Sequence, residues 1–125
     1  MGDRKEILIV DDEPDILMVL GKRLAGAGYD VIKARSGAEA LRLAKTSRPD
    51  LIILDLMMPE MSGQETAERL RSDPKLLEVP IIFLTALFTK RDEKSLGHDV
   101  AGNTFFAKPY DPEKLLAEIR RILSL

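Results

Sequence analysis

The stretch Leu51 to Gly63, LIILDLMMPEMSG, decides the fold of this chain and poses its functional question. Leu51 to Leu54 are aliphatic without alternation, as in a strand buried on both faces of a parallel sheet. The run then breaks at Asp55. A Met-Met-Pro turn follows, and Ser62-Gly-Gln-Glu65 has the Ser-x-x-Glu spacing that opens a helix. A carboxylate closing so apolar a run is either a solvated loop-start aspartate or a group that the strand presents for chemistry.

Working outward, the same alternation of strand and helix fills the chain. EILIV (Glu6–Val10), YDVIKA (Tyr29–Ala34), DLIILDL (Asp50–Leu56), PIIFLT (Pro80–Thr85) and NTFFA (Asn103–Ala107) are short segments rich in Ile, Val, Leu or Phe. Asp12-Glu-Pro-Asp15 opens a first helix, with Pro in its first turn and acids near the positive end of the helix dipole. Its inward face carries Ile16, Leu17, Leu20 and Leu24, and the glycines of AGAGY end it. Ser36-Gly-Ala-Glu39 is a second capping box, and Asp111-Pro-Glu113 opens a last helix striped by Leu115, Leu116, Ile119, Ile122 and Leu123. A helix over Thr89 to Val100 is the weakest, being mostly charged and anchored by Leu96 and Val100 alone. Five β-α units in series imply a doubly wound α/β domain over residues 1–125. Its five-stranded parallel sheet would have the order 2-1-3-4-5, with five helices on its two faces.

Composition narrows the function. With 19 basic and 21 acidic residues the formal charge is −2, and no basic block offers a track for a polyanion, so no nucleic-acid contact is expected. The absence of cysteine excludes disulfides and thiolate metal sites. No apolar run approaches the roughly 20 residues of a membrane span, and MGDRKE leads straight into a strand rather than a secretory signal. A cytoplasmic protein is expected.

Open α/β sheets bind ligands beyond the carboxyl ends of their strands, where the strand order reverses. The first strand ends in Asp11-Asp12, the third in Asp55, the fourth in Thr85-Ala86 and the fifth in Lys108-Pro109. With strands one and three adjacent, three carboxylates converge and repel unless a cation joins them. All-oxygen ligands without nearby His or Cys favour Mg2+. Lys108 and Thr85 then face that cation as a positive charge and a hydroxyl donor. The set suits a phosphoryl group, and Asp55 is the natural nucleophile.

In this order, Asp11-Asp12, Asp55 with MMPEMSG, Thr85-Ala86 and Lys108-Pro109 resemble the receiver domain of two-component response regulators, over about Glu6 to Leu123. The resemblance implies a flavodoxin-like fold in which Asp55 accepts phosphate from the phosphohistidine of a sensor histidine kinase or histidine phosphotransfer protein. It implies Mg2+ held by Asp12, Asp55 and the Met57 backbone carbonyl, with Asp11 acting partly through water. It further implies that Lys108 contacts a phosphoryl oxygen, that the Lys108–Pro109 peptide is cis, and that Thr85 and Phe105 are the switch pair. Phosphorylation would then bias the surface of the fourth helix, fifth strand and fifth helix, through which receivers often form homodimers.

Softer readings accompany this one. Met57 and Leu87 flank the acceptor with apolar side chains that cannot orient water, which predicts a long-lived acyl phosphate. Small Ala86 leaves donors free access to Asp55. Asp15, Met18 and Lys22 form an outward stripe on the first helix suited to partner docking. His98 is expected to be solvated. Ala101-Gly102 stands where receivers commonly carry Gly-Ala, which bears on the fourth helix. Two other classes remain open: a degenerate receiver that binds partners without phosphorylation, and an Mg-dependent phosphohydrolase. The second would need an acid two residues after the nucleophile, where this chain has Met57. As a receiver the chain is no turnover enzyme, and it acts through a downstream protein target or an output domain outside this sequence.

Overall fold

The computed structural model describes residues 4–85, 99–100, 103–108 and 110–124. Strands β1 (Glu6–Val10), β2 (Asp30–Ala34), β3 (Leu51–Leu54) and β4 (Ile81–Thr85) are followed by β5 (Asp99–Val100) and β6 (Asn103–Ala107). Helices α1 (Pro14–Gly26), α2 (Gly37–Ser47), α3 (Gly63–Arg71) and α4 (Pro112–Leu123) complete the described elements. The sheet order is β2-β1-β3-β4-β6-β5. Its first five members run parallel in the expected 2-1-3-4-5 order.

One difference stands at the far edge. Asp99–Val100, expected to end a helix, instead pairs antiparallel with Val100 opposite Asn103. A two-residue edge strand needs little intrinsic propensity, because its backbone bonds to Asn103 and Thr104 hold it. The remainder of the expected fourth helix lies outside the described residues, as do Ala86, Leu87, His98, Ala101 and Gly102.

The continuous apolar strands are buried on both faces because each face carries helices. Ile7, Ile9, Ile53, Ile82, Leu84 and Phe106 pack with Leu17, Leu20 and Leu24 of α1 and Leu115 and Ile119 of α4. Leu8, Val10, Ile52, Leu54, Ile81 and Phe83 pack on the other face with Ala40 and Ala44 of α2 and Ala67 and Leu70 of α3. At ~25 cal/mol per Å2, burial of these side chains is the main favourable term holding the sheet between its helices.

Local signals place the helix starts. Ser36 Oγ accepts the Glu39 N–H at 3.1 Å, and Glu39 reaches back to accept the N–H of Arg35, the residue before the cap, at 2.7 Å. Ser62 Oγ likewise accepts the Glu65 N–H, but Glu65 turns forward to Arg69 instead of back. Asp111 caps α4 through the Glu113 and Lys114 N–H groups. At the end of α1, Gly28 adopts φ +102°, a left-handed conformation that glycine takes without steric cost.

Candidate functional site

Register brings the acids together. Val10 of β1 pairs with Leu54 of β3, so the next residues, Asp11 and Asp55, leave the sheet side by side at its carboxyl edge. Each begins with a strand-like hydrogen bond: Asp11 N–H donates to Ala34 O, and Asp55 N–H donates to Val10 O, both at 3.1 Å. Asp12 follows in the turn before α1. Carboxylate oxygens of Asp11, Asp12 and Asp55 all lie within 4.8 Å of one another. Asp11 and Asp55 are 3% and 5% exposed, and Asp12 is half-buried.

Lys108 completes the cluster. It follows Ala107, which pairs with Thr85 at the end of β4, so β6 delivers it to the same edge. Its ammonium donates to Asp11 Oδ2 at 2.8 Å and to Asp55 Oδ2 at 3.2 Å. The other carboxylate oxygens are held by backbone. Asp11 Oδ1 accepts the Glu13 N–H at 3.0 Å, and Asp55 Oδ1 accepts the Met57 N–H at 3.1 Å. Glu13, not Asp12, is the N-cap residue of α1. Asp12 is thereby left to the acidic cluster.

The electrostatics follow from that packing. Burial above all, with the charge of Asp11, pushes the Asp55 carboxyl above the usual aspartate range; the Met57 N–H and Lys108 pull the other way without prevailing. For Lys108, burial favours the neutral amine, but the hydrogen bond and charge of Asp11, then those of Asp55, outweigh it and raise its pKa. Two partly desolvated carboxylates therefore share one ammonium, and a third stands within reach. That surplus of negative oxygen suits a hard divalent cation.

A cavity of about 10 Å3, room for one water, lies among Asp11, Asp55 and the apolar side chains of Leu17, Leu20, Ile53 and Leu84. Met57, two residues after Asp55, is 54% exposed.

The other sequence candidates fall as follows. Thr85 ends β4 beside the cluster by its backbone position; its hydroxyl, like the Pro109 peptide, lies outside what is described. Phe105 is half-buried and stacks on Phe83 with ring centroids 5.0 Å apart, while Phe106 is the core member of the pair. Asp15, Met18 and Lys22 are all exposed on α1, Met18 to 46%. Two residues at the site's back were missed by sequence reasoning, Gly37 and Gly63. Each follows its capping serine in a Ser-Gly-x-Glu segment, and that repeated Ser-Gly was the available signal.

A family model described as the response regulator receiver domain matches residues 7–120. The chain is 42% identical to the alkaline phosphatase synthesis transcriptional regulatory protein PhoP of Bacillus subtilis, over 95% of this chain and 48% of that protein. It thus spans about half the length of the curated relatives it matches. Among solved structures it is similar to chemotaxis protein CheY4 of Vibrio cholerae, with 34% identity and a TM-score of 0.83 over 97% of this chain and 100% of that one. It is also similar to the receiver domain of sensor histidine kinase PA1611 of Pseudomonas aeruginosa, which has a magnesium ion coordinated in its active site cleft. That match has 30% identity and a TM-score of 0.84 over 98% and 100% of the two chains.

Proposed function

The chain belongs to the response regulator receiver family, and from that membership we propose that Asp55 is its phosphoacceptor, charged by a phosphohistidine on a sensor histidine kinase or histidine phosphotransfer protein. The observation that carries this reading is the convergence of Asp11, Asp12 and Asp55 within 4.8 Å, with the Lys108 ammonium on two of them.

In the proposed step an Asp55 carboxylate oxygen attacks phosphorus and the phosphorus–nitrogen bond breaks. The imidazole leaves with the electron pair and takes up a proton. Asp55 is held for this by the Met57 N–H on one oxygen, which leaves the Oδ2 side toward Lys108. The Lys108 ammonium, already 3.2 Å from that oxygen, is placed to neutralise an incoming phosphoryl oxygen. Asp11, Asp12 and Asp55, with the Met57 carbonyl, would hold Mg2+; when bound, that ion supplies charge neutralisation at the phosphoryl oxygens. Thr85 and Phe105 form the proposed switch pair. The Phe83–Phe105 stack gives Phe105 a defined resting place from which to move.

Turnover on an external substrate is not part of this function, since the group accepted becomes part of the protein. The phosphohydrolase alternative lacks an acid at position 57 and is not favoured. Among the described residues no helix is long and apolar enough to cross a membrane; a cytoplasmic location is part of the proposal, as receiver membership implies. The output passes to a downstream protein or to a domain beyond residues 1–125, and the surface past β4 is the proposed site of homodimerisation.

Incubation with a small phosphodonor, with and without Mg2+, beside Asp55→Asn, tests the assignment by intact mass. One Mg2+-dependent, base-labile phosphoryl adduct absent from the variant is expected. A folded parent protein that takes no adduct would favour a receiver that binds partners unphosphorylated.

A further inference from the structure

The two glycines behind the acidic cluster are required by space rather than by backbone conformation. A Cβ placed on Gly63 would lie 2.1 Å from the Asp55 carbonyl oxygen, 2.8 Å from the Asp55 carbonyl carbon and 2.7 Å from Leu56 Cα. All three are backbone atoms, so no side chain can swing aside. Gly63 N–H also donates to Leu56 O at 3.0 Å, and thus the first turn of α3 is seated directly on the Asp55–Leu56 peptide. The preceding peptide, Leu54–Asp55, is tied to the sheet by the Asp55 N–H to Val10 O bond.

The same first turn of α3 also meets α2: a Cβ on Gly37 would lie 2.3 Å from Thr66 Oγ1 and 2.9 Å from Met61 Sδ. Thr66 is fully buried and its hydroxyl donates to Ser62 O at 2.8 Å, which locks it into the same first turn. Gly37 of α2 thus abuts Met61 and Thr66, and Gly63, on the same buried face of α3 as Thr66, abuts the peptide that follows Asp55.

We propose that Gly63 is a positioning residue for the phosphoacceptor, with Gly37 bracing it through Thr66, so that the start of α2 helps set where the Asp55 carboxylate stands. The inference rests on Asp55 being the acceptor. Relief of a 2.1 Å contact requires the peptide or α3 to move by on the order of 1 Å, and a displacement of that size at a reacting group can lower a rate about 100-fold.

The test compares Gly63→Ala with Leu76→Ala, a core change away from the site (Leu76 is 2% exposed). Urea unfolding gives the folded fraction of each; phosphorylation by a small phosphodonor and Mg2+ titration followed by amide shifts are then read on folded protein. Gly63→Ala is expected to lower the phosphorylation rate by about 10- to 100-fold and to weaken Mg2+ binding, whereas Leu76→Ala changes neither. Parental rate and affinity in folded Gly63→Ala, or equal losses in Leu76→Ala, would overturn the proposal. Should Gly63→Ala not fold, Gly37→Ala decides. Its rate should drop and be restored in Gly37→Ala/Thr66→Ala, which removes the offending hydroxyl; a parental rate in Gly37→Ala refutes the brace. If the parent protein itself accepts no phosphoryl group, the acceptor assignment has failed separately, and Mg2+ affinity alone still reports whether Gly63 positions Asp55.

Discussion

Lys108 Nζ lies 2.8 Å from Asp11 Oδ2, an ion pair that joins residues 97 positions apart. Both side chains are largely desolvated, 13% and 5% exposed, and no surface pair with solvent screening would hold so short a contact to equal effect. Lys108→Met removes the cation from two buried carboxylates. In EDTA the variant should unfold more easily by about 1–3 kcal/mol. Added Mg2+ should recover most of that loss, and it should bind the variant more tightly than the parent because the competing ammonium is gone. Equal urea midpoints for variant and parent in EDTA would contradict this account of the site.

The raised pKa of Asp55 sets a pH dependence of stability. A carboxyl whose pKa is higher folded than unfolded is a burden only when ionised: the penalty is absent below the unfolded-state value and grows as pH rises through the folded one. Asp55→Asn removes it. In buffer free of divalent cations the variant should be more stable than the parent at neutral pH, with the gap narrowing as pH falls toward the usual aspartate range near about 4. A gap that is constant with pH, or of opposite sign, would show that loss of the Lys108 contact dominates instead.

Phe105 and Phe106 are adjacent but differently committed. Phe106, 4% exposed in the core with Leu84 and Ile119, should cost about 3–5 kcal/mol on truncation to Ala. Phe105 is half-buried and gains chiefly from its stack on Phe83, so Phe105→Ala should cost about 1–2 kcal/mol. Chemical denaturation of the two variants checks the order.

Exposed Met18 provides a docking test that separates partner recognition from chemistry. Met18→Asp should slow phosphotransfer from a histidine kinase about tenfold, equivalent to about 1.4 kcal/mol of recognition. The same variant should accept phosphate from a small donor at the parental rate. Unchanged kinase transfer would leave the Asp15–Met18–Lys22 stripe without a role.

Met57 is exposed beside Asp55, the proposed acceptor, and its N–H donates to Asp55. Met57→Asn keeps that backbone contact and adds a group able to orient water. The acyl phosphate should decay faster in the variant, measured by loss of the adduct mass after donor removal. An unchanged half-life would assign control of the lifetime to another residue.

Much of this molecule was legible along the chain because the deciding forces are local. An unbroken run such as Leu51–Leu54 can only be buried on both faces, and Ser-x-x-Glu satisfies helix N–H groups within one turn. Those two rules located three of the parallel strands and two of the helix starts, and with them the edge at which Asp11, Asp12 and Asp55 emerge. Local rules were weaker where competing choices cost little. Asp12 was read at the opening of the first helix, and the structure gives the N-cap to Glu13. Asp99–Val100 was expected to end a helix, and it pairs as an edge strand instead.

The sequence by itself therefore determined that Asp11, Asp12, Asp55 and Lys108 stand at strand ends on one edge of the sheet, because strand ends and caps are written in neighbouring positions. Only tertiary structure decided how they meet. The Lys108–Asp11 contact depends on the register of β1, β3, β4 and β6 together. The need for glycine at 37 and 63 depends on how closely α2, α3 and the Asp55 peptide approach. Such distances arise from the packing of segments far apart in the chain, and excluded volume between them is a property that no local pattern contains.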